Sequence, residues 1–90
     1  MKLEDALFNW LQIKLVAIAR PDDQAALDTL TFFEQILTED HGLSNYAITK
    51  TDDTMIHVKY EKDGRTKLQF YPLERGEQLL SDIESNPKYN

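Results

Sequence analysis

The period of the apolar residues changes once along this chain, and that change limits the folds open to it. Up to Leu43 apolar residues recur every three or four positions; from Asn45 they alternate. The first pattern is that of helices and the second that of half-buried strands. Helices followed by strands point to an α+β domain in which helices cover one face of an antiparallel sheet. Leu3, Leu7, Phe8, Trp10, Leu11, Leu15, Ala17 and Ile18 form the first stripe, which Arg20-Pro21 ends, since a residue before proline is driven toward extended backbone. Pro21, Asp22 and Asp23 suit the start of a second helix, with Asp22 as its expected cap. That helix runs through "AALDTLTFFEQILTED", and Gly42 in the left-handed conformation closes it.

So short a link makes the two helices an antiparallel hairpin. Its register brings Trp10 toward Phe32 and sets Lys14 against Asp28 as an expected ion pair. The strands are "NYAIT", "MIHVKYE" and "RTKLQFY", joined by "TDDT" and "KDG". The second turn allows two registers. A two-residue Asp-Gly loop puts Ile56, Val58 and Tyr60 on one face with Lys67, Gln69 and Tyr71. A three-residue loop of Lys62, Asp63 and Gly64 shifts the pairing by one and matches Ile56 with Phe70, Val58 with Leu68 and Tyr60 with Thr66. Hydrophobic register favours the second. After Pro72, "ERGEQLLSDIES" reads as a last helix with Leu79, Leu80 and Ile83 inward, with Gly76 as a weak point. The expected architecture is α-α-β-β-β-α: a helical hairpin, a three-stranded antiparallel meander and a C-terminal helix. It forms a single domain over residues 1–86, with 87–90 as a tail.

Ninety residues, 41% apolar and 29% charged, match the composition of an ordinary globular domain with a thin core. The chain has no cysteine, which excludes a disulfide framework and a thiolate metal site. Glu4 and Asp5 stand where a secretory signal carries positive charge, and polar residues interrupt the apolar run 7–20 well short of the roughly 20 residues of a membrane span. A cytoplasmic location is the expectation, without a membrane partner. The net charge is −6, which repels a phosphate backbone on average. It is unevenly spread: residues 1–45 carry three basic and eight acidic groups, residues 46–73 five and four, and residues 74–90 two and four.

Catalysis and metal binding need reactive groups that converge, and few are available. Glu39, Asp40 and His41 are neighbours in sequence and point different ways around a helix, with no second histidine at ligand spacing. Ser44, Ser81 and Ser85 lack a nucleophile elbow. The pairs Asp22-Asp23 and Asp52-Asp53 fit turn formers, and no glycine-rich phosphate loop occurs. No catalytic, metal or cofactor residue is assigned, and the chain is expected not to be an enzyme.

Two surfaces remain. On the three-residue-loop register the outward face of the sheet carries His57, Lys59, Arg65, Lys67, Gln69 and Tyr71, with Lys59 opposite Lys67. Like charges placed so cost on the order of 0.2–1 kcal/mol, which leaves two readings: a solvated face whose lysines guard the sheet, or a binding surface. The second surface is helical. Two apolar arcs of about 200° exceed what one small sheet and their mutual contact can cover, so Phe8, Trp10 and Phe32 are expected to serve self-association or a partner, the alternative being that the last helix closes over this surface in a monomeric domain. The chain therefore reads as a small non-enzymatic cytosolic protein of regulatory or adaptor type, acting through protein contacts as a homodimer. The alternative is a nucleic-acid-binding module using the basic sheet face.

Overall fold

A computed structural model describes residues 1–85; Asn86 and the expected tail 87–90 lie outside the described residues. The order of elements is α1 (Leu3–Ala19), α2 (Gln24–Gln35), a π-helical turn (Ile36–Asp40), β1 (Leu43–Thr51), β2 (Met55–Lys62), β3 (Arg65–Pro72), α3 (Leu73–Gly76) and α4 (Gln78–Ser85). This is the α-α-β-β-β-α, α+β arrangement the change of period implies. The last helix is broken in two at Glu77, next to Gly76, where Ile56, Leu11 and Leu15 crowd the backbone.

Local chemistry sets the helix ends. The N–H of Arg20 makes the closing bond of α1 to Val16 at 2.8 Å, and Pro21 follows. Asp23, rather than Asp22, caps α2: its Oδ1 accepts the Ala26 N–H at 3.1 Å, and its Oδ2 lies 3.3 Å from Arg20 Nε. The Ala26 N–H bond, the largest lowering influence, and Arg20 hold the Asp23 carboxyl below its usual range. At the far end, the Ile36 N–H is shared between the carbonyls of Phe32 and Phe33 as the helix widens into the π turn. Gly42 takes φ 67° and turns the chain into β1.

The apolar segment 7–20 falls on α1 and its C-terminal cap Arg20, and the position of that helix accounts for it. It is the central helix, packed by α2 and the π turn on one side and by α3 and α4 on another. Ala6, Leu7, Trp10, Leu11, Ile13, Val16 and Ala17 are all buried. Most of its wide apolar arc is therefore used inside the molecule, with Ile18 left 62% exposed, and α4 supplies Leu79, Leu80 and Ile83 as part of the cover. Lys14 and Asp28 do not pair. Asp28 faces solvent on α2 and accepts from Gln24 Nε2 at 2.8 Å. Trp10 packs edge-on against Tyr46 at 5.3 Å between ring centres, whereas Phe32 stands on the outside against Phe33.

The sheet is an antiparallel meander in the order β1-β2-β3. Its β2-β3 register corrects the expectation. Ile56 pairs with Tyr71, Val58 with Gln69, Lys59 with Leu68, Tyr60 with Lys67 and Lys62 with Arg65, so the loop has two residues. Asp63 (φ 54°) and Gly64 (φ 74°) are both left-handed, the geometry of the hairpin turn whose twist matches the strands. The hydrophobic-register argument fails here because the helices do not cover the first part of β3. Arg65, Thr66, Lys67 and Leu68 are exposed whichever way they point, and of this strand only Tyr71 is buried. With no core face to protect, turn chemistry decides.

Candidate contact surface

The two-residue turn places Leu68 and Phe70 on the outer face of the sheet. They are 57% and 47% exposed. Two rows of paired residues cross this face: Ala47, Lys59 and Leu68, then Lys50, His57 and Phe70. His57 and Phe70 meet edge-on, with ring centres 4.8 Å apart. Lys59 stands opposite Leu68, not Lys67, so the like-charge clash disappears. Glu61, on the same face two residues from Lys59, accepts from Asn45 Nδ2 at 2.9 Å.

His57 is fixed from below. Its Nε2 lies 2.9 Å from Asp52 Oδ2, while Asp52 Oδ1 accepts the backbone N–H of Thr54 at 2.9 Å and of Met55 at 2.7 Å. The hydrogen bond with His57, then those from Thr54 and Met55, hold the Asp52 carboxyl well below the usual carboxylate range. Asp52, expected only as a turn former, is thus also the residue that orients the imidazole toward Phe70. His57 and Phe70 together form an aromatic ledge on the outer face. No serine or cysteine is bonded to His57, and among the described residues no group of three His, Cys, Asp or Glu is placed to hold a metal ion.

The other expected sheet residues are divided by the register. Of His57, Lys59, Arg65, Lys67, Gln69 and Tyr71, only His57 and Lys59 are on the outer face. Arg65, Lys67, Gln69 and Tyr71 share the helix side with Ile56, Val58 and Tyr60. Tyr71 packs against Phe8 with ring centres 5.5 Å apart. Its hydroxyl is buried without a hydrogen-bond partner, and burial, ahead of the charges of Tyr60 and Glu4, pushes its pKa up to about 12. Lys62, Arg65 and Lys67 line a shallow cleft with Leu3 and Asp63 at the hairpin end. The basic residues therefore do not form one surface.

The helical set is also dispersed. Trp10 is 2% exposed, and its indole N–H is buried without a partner. Phe8 is half-buried beneath the Arg75 guanidinium, whose carbon lies 5.1 Å from the ring centre. Phe32 is 55% exposed, so these three residues do not make a contiguous patch.

The two sheet edges differ. The β1-β2 ladder is interrupted between Leu43 and Asn45 and again between Ile48 and Lys50; such bulges are a usual guard against edge pairing. The β3 ladder runs through eight consecutive pairs without a break, and no described strand pairs with its other side. Among the described residues no helix is long and apolar enough to cross a membrane. Comparison with family models, with curated proteins and with solved structures finds no match. The signal that could have revealed Leu68 and Phe70 is the Asp63-Gly64 dipeptide, which favours a two-residue hairpin loop.

Proposed function

We propose that this chain is a small non-enzymatic protein of regulatory or adaptor type that resides in the cytoplasm, acts through protein contacts and works as a homodimer. The observation that carries the reading is the exposure of Leu68 and Phe70 on the outer face of the sheet, with the His57 ring edge-on against Phe70. The outward face of a sheet on so small a domain normally alternates to polar residues. Large apolar side chains held there mark association surfaces, and aromatic residues are enriched at them. The unguarded length of β3 gives further support. The helical hairpin contributes less, because most of the apolar arc of α1 is already buried.

The test is light scattering on the full chain, with and without Leu68→Glu and Phe70→Glu together. The expected result is a dimer that becomes a folded monomer on double substitution, with Trp10 fluorescence unchanged. A wild-type monomer across the accessible concentration range would remove the homodimer. A dimer indifferent to both substitutions would move the contact away from this face.

A further inference from the structure

We propose that two copies join through the free edges of β3, antiparallel about a two-fold axis at Leu68, making one continuous six-stranded sheet. This rests on the homodimer reading and adds the contacting edge and its register.

The direction of the backbone groups comes first. In a two-residue hairpin the pair that closes the loop, here Lys62 and Arg65, is a hydrogen-bonded pair, and such pairs alternate along an antiparallel ladder. Arg65, Lys67, Gln69 and Tyr71 therefore turn their N–H and C=O groups toward β2. Thr66, Leu68 and Phe70 turn theirs to the open edge. The same three residues carry their side chains on the outer face, clear of the helices. Edge and apolar row coincide, so a strand arriving at the edge also lies beside the exposed side chains.

The register follows from self-complementarity. With Leu68 opposite Leu68 of the second copy, Thr66 meets Phe70 and every outward-turned backbone group finds a partner along the whole stretch from Arg65 to Tyr71. On the helix side Lys67 then stands opposite Gln69, and Arg65 opposite Tyr71, so no two like charges face each other. The neighbouring registers are worse for identifiable reasons. One sets Lys67 against Lys67, which is destabilising in a directly opposed pair. The other sets Thr66 against Pro72, which has no N–H to give. In the favoured register Leu68, Phe70 and Thr66 of both copies form an uncharged block at the middle of the joined outer face, with each Leu68 against its counterpart and each Phe70 against Thr66 of the other copy. An identical strand thus fits this edge with its charges interleaved.

The experiment combines sedimentation velocity with residue-resolved amide hydrogen exchange on the full chain, for the wild type, Leu68→Lys and Thr66→Lys. Both substitutions fall on exposed positions, and Trp10 fluorescence checks that each variant is folded. The expected wild type is a dimer. Its Thr66, Leu68 and Phe70 amides exchange at least about tenfold slower than the corresponding amides in the two monomeric variants, as edge bonds shared between copies require. Lys67, Gln69 and Tyr71 amides, bonded within the hairpin, keep their rates. A wild-type dimer with fast exchange at Thr66, Leu68 and Phe70, or one that survives both substitutions, would overturn the β3 edge while leaving the homodimer intact. A monomeric wild type would overturn both.

Discussion

A methyl group added at Gly76 measures how closely the C-terminal helices are seated on the core. In Gly76→Ala the new carbon would lie 2.5 Å from Ile56 Cδ1, 3.6 Å from Leu11 Cδ2 and 3.8 Å from Leu15 Cδ1. The first distance is far inside the optimal carbon–carbon separation of about 3.5–4.0 Å. Ile56 is fully buried, so moving its Cδ1 disturbs packed neighbours, at about 1–3 kcal/mol. Against this, alanine is favoured over glycine by up to about 1 kcal/mol inside a helix, and by less at the last residue of a short one. The packing term wins, and a net loss of about 1 kcal/mol is expected, near the 4–8 °C of Tm that such a loss brings in a domain of this size. Ile56→Val removes the obstructing carbon and alone costs about 0.5–1.5 kcal/mol. Combined with Gly76→Ala it should cost less than the two separately, by about 1 kcal/mol, because the alanine methyl fills the vacated space. Urea unfolding followed by fluorescence of Trp10, the chain's one tryptophan, measures all four corners of the cycle. A Gly76→Ala protein as stable as the wild type, or additivity within about 0.3–0.5 kcal/mol, would refute the close seating of α3 on β2 and α1.

Three further outcomes follow from single groups. Tyr71→Phe deletes a buried hydroxyl that has no hydrogen-bond partner, so stability should be unchanged or higher by roughly 1 kcal/mol. In the wild type, whose Tyr71 pKa is raised to about 12, the folded state keeps a proton that the unfolded state gives up from about pH 10. Stability is therefore intact below that value and falls as pH rises toward 12, and Tyr71→Phe should flatten this alkaline loss in pH-dependent urea titrations. Asp52→Asn weakens bonds to His57, Thr54 and Met55. Because the Asp52 carboxyl is depressed in the fold, its contribution is present above the unfolded carboxylate pKa and lost as pH falls through the folded one. The variant should unfold more easily at neutral pH and approach the wild type in acid. Gly64→Ala forces alanine into φ 74° and should cost about 1–2 kcal/mol, whereas Gly64→Asn should cost less, both read from thermal unfolding.

Much of the fold can be read directly from residue spacing: the change of period at Asn45, the break at Arg20-Pro21 and the left-handed Gly42 all mark real boundaries. Four points are not legible, for separate reasons. The apolar arc of α1 looks excessive only until α4 is known to lie along it, and docking of a short amphipathic helix is a tertiary fact. Lys14 and Asp28 look paired when numbers alone set the register, but Asp28 is rotated to solvent and bonded within its own helix. Leu68 and Phe70 read as core residues when alternation outweighs turn type, yet they stand on the surface. That priority holds for strands with a covered face, and the first part of β3 has none. Asp52 gave no local sign of its role, since its partner His57 lies across a turn and its bonds depend on the fold of that turn.

The β2-β3 register is the claim on which the contact face and the β3 edge both depend, and backbone nuclear Overhauser effects test it directly. Non-hydrogen-bonded antiparallel pairs bring their α-protons together, so cross-peaks are expected between the α-protons of Lys59 and Leu68, of His57 and Phe70, and of Glu61 and Thr66. Cross-peaks linking Val58 with Leu68 and Ile56 with Phe70 instead would contradict the account and return both apolar side chains to the interior.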